Sequence, residues 1–226
     1  MWYALPCGPL PHVSAAADIL KGGDLLLGKA HLTCGIAAAL AVTLPSTPAG
    51  CMISVIGGAA GGILCDIEVR SAKRDRDALV SRLILLLLIF LALVADSVFH
   101  LGLKELLVSD HAARAASGLL IIVLTCVRGR FSEHRSFTHS LLYAFLLGLG
   151  GWQILPAFGI SLGAGALSHL FLDLLNKKPL RIFYPLKKGI CLRMFYADRL
   201  ASRVCMWAGL LADILLLSYC LSSLWH

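Results

Sequence analysis

What most constrains this chain is a series of continuous apolar runs, over residues 31–45, 49–66, 82–101, 111–127, 137–153, 155–174 and 204–224. A helix needs roughly 20 apolar residues to cross the hydrocarbon core of a bilayer, and about 17 to 25 are tolerated. The runs are continuous rather than alternating, which argues against a membrane β-barrel. With 58% hydrophobic and only 15% charged residues in 226, the chain is too apolar for a soluble domain. The sequence therefore predicts an all-α fold, a polytopic transmembrane bundle of six or seven spans. The first run is short, and the fifth and sixth are separated only by Gln153-Ile-Leu-Pro156.

The basic residues orient these spans. Eighteen of the 20 Lys and Arg fall before the first run, between the second and third, between the fourth and fifth, and between the sixth and seventh. All of those positions lie on one side of the membrane, which the positive-inside rule makes cytoplasmic. The N-terminus is then inside, and the basic loop 177–203 is cytoplasmic. A net charge of +7 reads as topology and contact with anionic lipid, not as nucleic-acid binding. Residues 1–27 form an N-terminal extension of unknown role without the apolar core of a signal peptide, and 28–226 form a single domain. Cys34, Cys51, Cys65, Cys126, Cys205 and Cys220 lie in or at the ends of apolar runs and read as small packing residues, not as a disulfide framework.

On this topology the ionisable residues sort to one level. His31 opens the first run, Asp66 and Glu68 close the second, Glu133, His134 and His139 precede or open the fifth, and His169 and Asp173 close the sixth. Each falls on the cytoplasmic side. Ionisable groups at membrane depth are expensive and mark function by default. Neutral imidazole and carboxylate are ligands of zinc, manganese or iron, and a cation offsets the burial of the acids. His169 and Asp173, four apart, share one helix face. His134 can join His139 at one site only if it precedes the helix, whose start Ser136 or Thr138 could cap. Arg135 sits where an anionic oxygen would arrive, and its planar fork suits phosphate. The metal ligands expected are thus His31, Asp66, His134, His139, His169 and Asp173. Asp66 is better placed than Glu68, which could instead face the basic loop and pair with Arg70. By contrast, Asp96 and His100 are also four apart but lie at the outer end of the third run, a bilayer away. Asp213 in the seventh run needs a buried partner that the sequence does not name. The glycines of Gly57-Gly58-Ala-Ala-Gly61-Gly62, with Gly159, Gly163 and Gly165, suit close helix packing.

Four ordered motifs carry a resemblance: Gly28-Lys-Ala-His31, Cys65-Asp66-Ile67-Glu68, His134-Arg-Ser-Phe-Thr-His139-Ser and Ser168-His169-Leu-Phe-Leu-Asp173. Over residues 28 to 200 the chain resembles the YdjM/YbcI-like family of membrane-bound metal-dependent hydrolases. That family's usual Pro-Asp-x-Asp appears here as Cys65-Asp66-Ile67-Glu68. More distantly, the His-x-x-x-Asp helix ending is similar to that of zinc-dependent phospholipase C and nuclease P1-like enzymes, which implies phosphoester hydrolysis at a multi-zinc centre.

These readings lead to an expected function. The chain would be a metal-dependent hydrolase of a bacterial-type inner membrane, acting at the cytoplasmic face on a phosphoester of a lipid or lipid-linked substrate. The cofactor would be one or more divalent ions, zinc before manganese, lowering the pKa of water toward about 7. Arg135 would stabilise charge on the phosphoryl oxygens, and Glu68 or Glu133 would act as general base. The partner is membrane lipid, as substrate and as solvent. The other classes that fit are a metal-dependent amidase or esterase acting on acyl lipids, and a metal-binding membrane protein or transporter without enzymatic activity.

Overall fold

A computed structural model describes residues 28–68, 72–101, 112–133, 135–176, 178–192 and 199–223. The expected extension 1–27 lies outside them. Among the described residues seven α-helices fall where the seven apolar runs predict them: α1 (Gly28–Thr43), α2 (Pro48–Leu64), α3 (Ala72–Phe99), α4 (Ala112–Arg130), α5 (Leu141–Ile154), α6 (Pro156–Leu174) and α7 (Arg199–Ser223). An isolated antiparallel bridge pairs Leu180 with Ile190, and the described residues hold no named strand. Among the described residues, three segments are long and apolar enough to cross a membrane: Leu79–Phe99 of α3, Pro156–Leu174 of α6 and Leu200–Ser222 of α7. α2 and α5 are apolar but have only 17 and 14 residues. At 1.5 Å per residue they reach about 25 and 21 Å, short of the roughly 30 Å core.

Local chemistry sets the breaks. α2 begins with Thr47 as N-cap, its hydroxyl accepting from the Gly50 amide, and with Pro48 in the first turn. α5 and α6 are separated by Leu155 alone, because Pro156 disfavours helical backbone at the residue before it and then opens the next helix. The start of α5 is capped by Ser140, which accepts from the Tyr143 amide at 3.2 Å. Neither Ser136 nor Thr138 fills that role; a short 3-10 turn over Phe137–His139 precedes the cap and leaves Thr138 free for the site.

The interior is built around α2, which packs against both α1 and α6. α5 packs on α6, α4 on α5, and α7 on α1, while α3 lies more lightly against α2. Half of α6 is buried, against 17% of the apolar windows of α3 and α7. The small residues make this possible. A Cβ on Gly58 would stand 2.5 Å from the Gly35 carbonyl oxygen, and one on Gly61 would meet the Leu162 carbonyl and stand 2.7 Å from the Ala166 amide nitrogen. Helices in lipid are held by such backbone approach. Because α1, α2 and α6 touch along their backbones, their polar ends are delivered to one place. No disulfide joins the described cysteines.

Candidate metal centre

Five of the expected ligands converge. His31 comes from the first turn of α1, Asp66 from the turn after α2, His139 from the 3-10 turn before α5, and His169 and Asp173 from the last turns of α6. The three imidazoles and Asp173 are fully buried. His139 Nε2 lies 3.3 Å from His169 Nε2, 3.5 Å from Asp66 Oδ1 and 3.3 Å from Asp173 Oδ2. His31 Nε2 lies 3.7 Å from Asp173 Oδ1, and His169 Nε2 lies 3.8 Å from Asp66 Oδ1. The His31 and His169 rings stack at 3.8 Å between centroids. His134 lies outside the described residues.

Outer contacts turn the imidazoles inward. His169 Nδ1 is 2.8 Å from the Gly62 carbonyl oxygen; as donor there, the ring directs an unprotonated Nε2 at the cluster. Gly62 has a second role: a Cβ there would meet the His31 carbonyl, so glycine lets α1 bring His31 against His169. His139 Nδ1 lies 3.4 Å from Glu68 Oε1 and 3.0 Å from Thr138 Oγ1. The Glu68 carboxylate is itself fixed, accepting from the Arg135 amide at 2.8 Å, from Ser132 Oγ at 3.1 Å and from Thr138 Oγ1. Glu68 therefore faces His139; Arg70, its other expected partner, lies outside the described residues.

Arg135 is held through its backbone and both terminal nitrogens, while its Nε is buried without a partner among the described residues. Its φ of 59° is in the left-handed region, a conformation that costs of order 1 kcal/mol or more and clusters at functional sites. That backbone aims its amide at Glu68. Its Nη2 donates to Asp173 Oδ2 at 3.3 Å and its Nη1 to the Lys178 carbonyl at 3.1 Å. The guanidinium thus clamps Asp173, one of the expected ligands. Glu133 is at the surface, where it accepts from Arg181 at 2.8 Å.

The segment 178–192 folds back beneath the centre. The Arg181 amide donates to the Arg135 carbonyl, the Leu141 amide to the Ile182 carbonyl and the Leu192 amide to the Leu174 carbonyl. Its tip leaves Phe183, Leu186, Lys187 and Lys188 exposed.

The donor set fits a divalent ion. Both ring nitrogens of His31, Asp66 Oδ1 and Asp173 Oδ1 are buried without a hydrogen-bond partner among the described residues. An unsatisfied buried polar group costs about 1–3 kcal/mol, more when charged. Two sets of three, His31 with His169 and Asp173, and Asp66 with His139 and His169, have ligand atoms within 4.8 Å of one another. Tetrahedral ligands about 2.0–2.2 Å from zinc stand about 3.3–3.6 Å apart, close to the spacings here. With the imidazoles neutral, as ligation requires, three carboxylates among the described residues, Asp66, Glu68 and Asp173, meet one guanidinium, a balance that a cation would complete.

The contacts that sequence reasoning missed are Thr138, Ser132 and the carbonyls of Gly62 and Lys178. Thr138 was within reach as part of the His-Arg-x-x-Thr-His motif. Asp96 and His100 take no part in either ligand set, and Asp213 is buried with Oδ1 unpartnered among the described residues.

No curated protein and no solved structure matches the chain significantly, so the distant likeness to zinc-dependent phospholipase C and P1-like nucleases gains no support. Over residues 26–225, which take in all seven helices, the sequence matches the family described as YdjM inner membrane protein, and the chain belongs to that family.

Proposed function

We propose that this inner membrane protein is a metal-dependent hydrolase acting on a phosphoester of a membrane lipid or lipid-linked substrate. The observation that carries the reading is the convergence of His31, Asp66, His139, His169 and Asp173 with unpartnered buried atoms turned to one another. Zinc fits such a mixed imidazole and carboxylate set, and manganese is the second choice. Both ligand sets include His169, and its Nδ1 is engaged with Gly62, leaving a single nitrogen to share. That supports one ion per chain. When bound, the ion supplies Lewis acidity toward the ester and lowers the pKa of water.

The chain's own groups then take definite roles. Glu68 and Thr138 orient His139, Gly62 orients His169, and Arg135 orients Asp173. Asp66, whose side chain is 16% exposed, is the ligand residue most open to an incoming substrate and the group best placed to accept a proton. Lys187 and Lys188, exposed beside Phe183 and Leu186, would rest on an anionic membrane surface and draw in a charged headgroup.

One observation favours the second reading, an amidase or esterase acting on acyl lipids. Arg135 already uses Nη1 and Nη2 on Lys178 and Asp173, so less of its fork is left for phosphate. Two measurements decide. Elemental analysis of purified protein should find about one zinc or manganese per chain, lost in His169→Ala and Asp173→Ala; equal sub-stoichiometric metal in all three would defeat the proposal. Incubation with defined phospholipid bilayers should release a phosphorylated headgroup, whereas release of free fatty acid would select the second reading.

A further inference from the structure

The lipid-facing side of the α5–α6 pair carries a cavity of about 510 Å³. Its floor is Ala144, Gly148, Gly159 and Gly163, and it runs from Leu141 to Trp152 along α5. Those eleven steps span about 17 Å at 1.5 Å per residue, close to the depth of one leaflet of a core about 30 Å thick. Lined by apolar side chains and glycines over that length, the groove matches an acyl chain laid along one leaflet.

Two glycines on the floor are not required by the fold. A Cβ on Gly58, Gly61, Gly159 or Gly165 would run into the backbone of a neighbouring helix. At Gly148 the nearest atom to an added Cβ is 3.5 Å away, and at Gly163 it is 3.7 Å away, both ordinary contact distances. Mid-helix glycine costs roughly 0.5–1 kcal/mol relative to alanine. Here that cost keeps the groove open instead of bringing helices together.

The groove ends near the level of the metal centre along the two helices, on their outer faces and with no expected ligand in its lining. Leu141 follows His139 by two residues on one wall, and Leu167 precedes His169 by two on the other. We infer that the α5–α6 groove holds one acyl chain of the lipid substrate, laid along Gly148 and Gly163 with its headgroup end toward the centre. The inference rests on reading the centre as that of a lipid hydrolase. It makes the groove the element that selects substrates with a long acyl chain.

The test uses the full chain in bilayers of phosphatidylethanolamine and phosphatidylglycerol containing phosphatidylglycerol with a photoreactive diazirine on one acyl chain. In the wild type, label should concentrate in residues 141–167 over the α3 face around Phe90, which is 61% exposed and offers lipid at least equal access. Gly148→Leu and Gly163→Leu fill the groove and should cut that labelling several-fold while metal content stays at the wild-type level. His169→Ala should keep the labelling and lose the metal. Even labelling of all exposed faces in the wild type overturns the inference, and needs no variant to fold. So does undiminished labelling in the leucine variants, or a dimer captured through Leu167→Cys, which would place a second copy in the groove. Groove labelling without turnover on any lipid would sink the hydrolase reading alone. Turnover unaffected by Gly163→Leu would sink the groove alone.

Discussion

At the scale of single residues, the cluster depends on groups outside the expected ligand set. Glu68 accepts from Arg135, Ser132 and Thr138 and sits beside His139 Nδ1, the arrangement by which a carboxylate fixes the tautomer and direction of a metal-binding imidazole. Glu68→Gln keeps the size and removes the charge. It should weaken metal affinity by about 10- to 100-fold in a competition titration with a chromophoric chelator. Glu133→Gln, at the surface beside Arg181, should leave the titration unchanged. Equal affinity in Glu68→Gln would remove Glu68 from the support of His139. The sequence carried the ligands because histidine and aspartate are conspicuous on apolar helices. It could not carry this support, because a carbonyl such as that of Gly62 has no side-chain signature and the direction of Glu68 depends on the turn that contains Arg135.

At the scale of elements, seven apolar runs were legible as seven helices because continuous hydrophobicity is a strong and local signal. Their boundaries were less legible. The fifth run starts at Phe137 by hydropathy, yet α5 starts at Leu141, because the buried turn over Phe137–His139 is apolar in composition while serving the site. The glycines also divide in a way that spacing alone does not reveal: Gly61 and Gly163 each sit in small-residue stretches, but only the first is pressed against another backbone. Gly61→Ala should therefore destabilise by about 1–3 kcal/mol, since α2 and α6 must move apart. Gly163→Ala should be neutral or stabilise by about 0.5–1 kcal/mol through helix propensity. Ranking the two variants by apparent melting temperature in detergent checks this, and a Gly61→Ala protein that melts with the wild type would contradict it.

For the molecule as a whole, membrane orientation and metal linkage remain the two open consequences. The described basic residues Arg128, Arg130, Arg135, Lys178, Arg181, Lys187 and Lys188 lie in the helix end and turns that flank the centre, so a cysteine placed at Lys187 in a chain without native cysteines should react with an impermeant maleimide only from the cytoplasmic side. Phe99→Cys, at the opposite end of α3, should react only from the other side; the reverse pattern would invert the bundle. The centre also ties together α1, the end of α2, the turn before α5 and the end of α6, elements that otherwise meet through small-residue packing. An ion that binds the folded bundle and not the unfolded chain stabilises it by about 2.7 kcal/mol at a free concentration 100 times its Kd. Stripping the ion with a chelator should therefore lower the melting temperature of the wild type, and adding zinc back should restore it. Asp173→Asn keeps the shape of the residue that Arg135 clamps but weakens the site, so its melting temperature should respond little to either treatment. If the chelator shifts wild type and Asp173→Asn alike, the stabilising ion is bound elsewhere; if it shifts neither, the five side chains hold their places through the packing of α1, α2 and α6 alone.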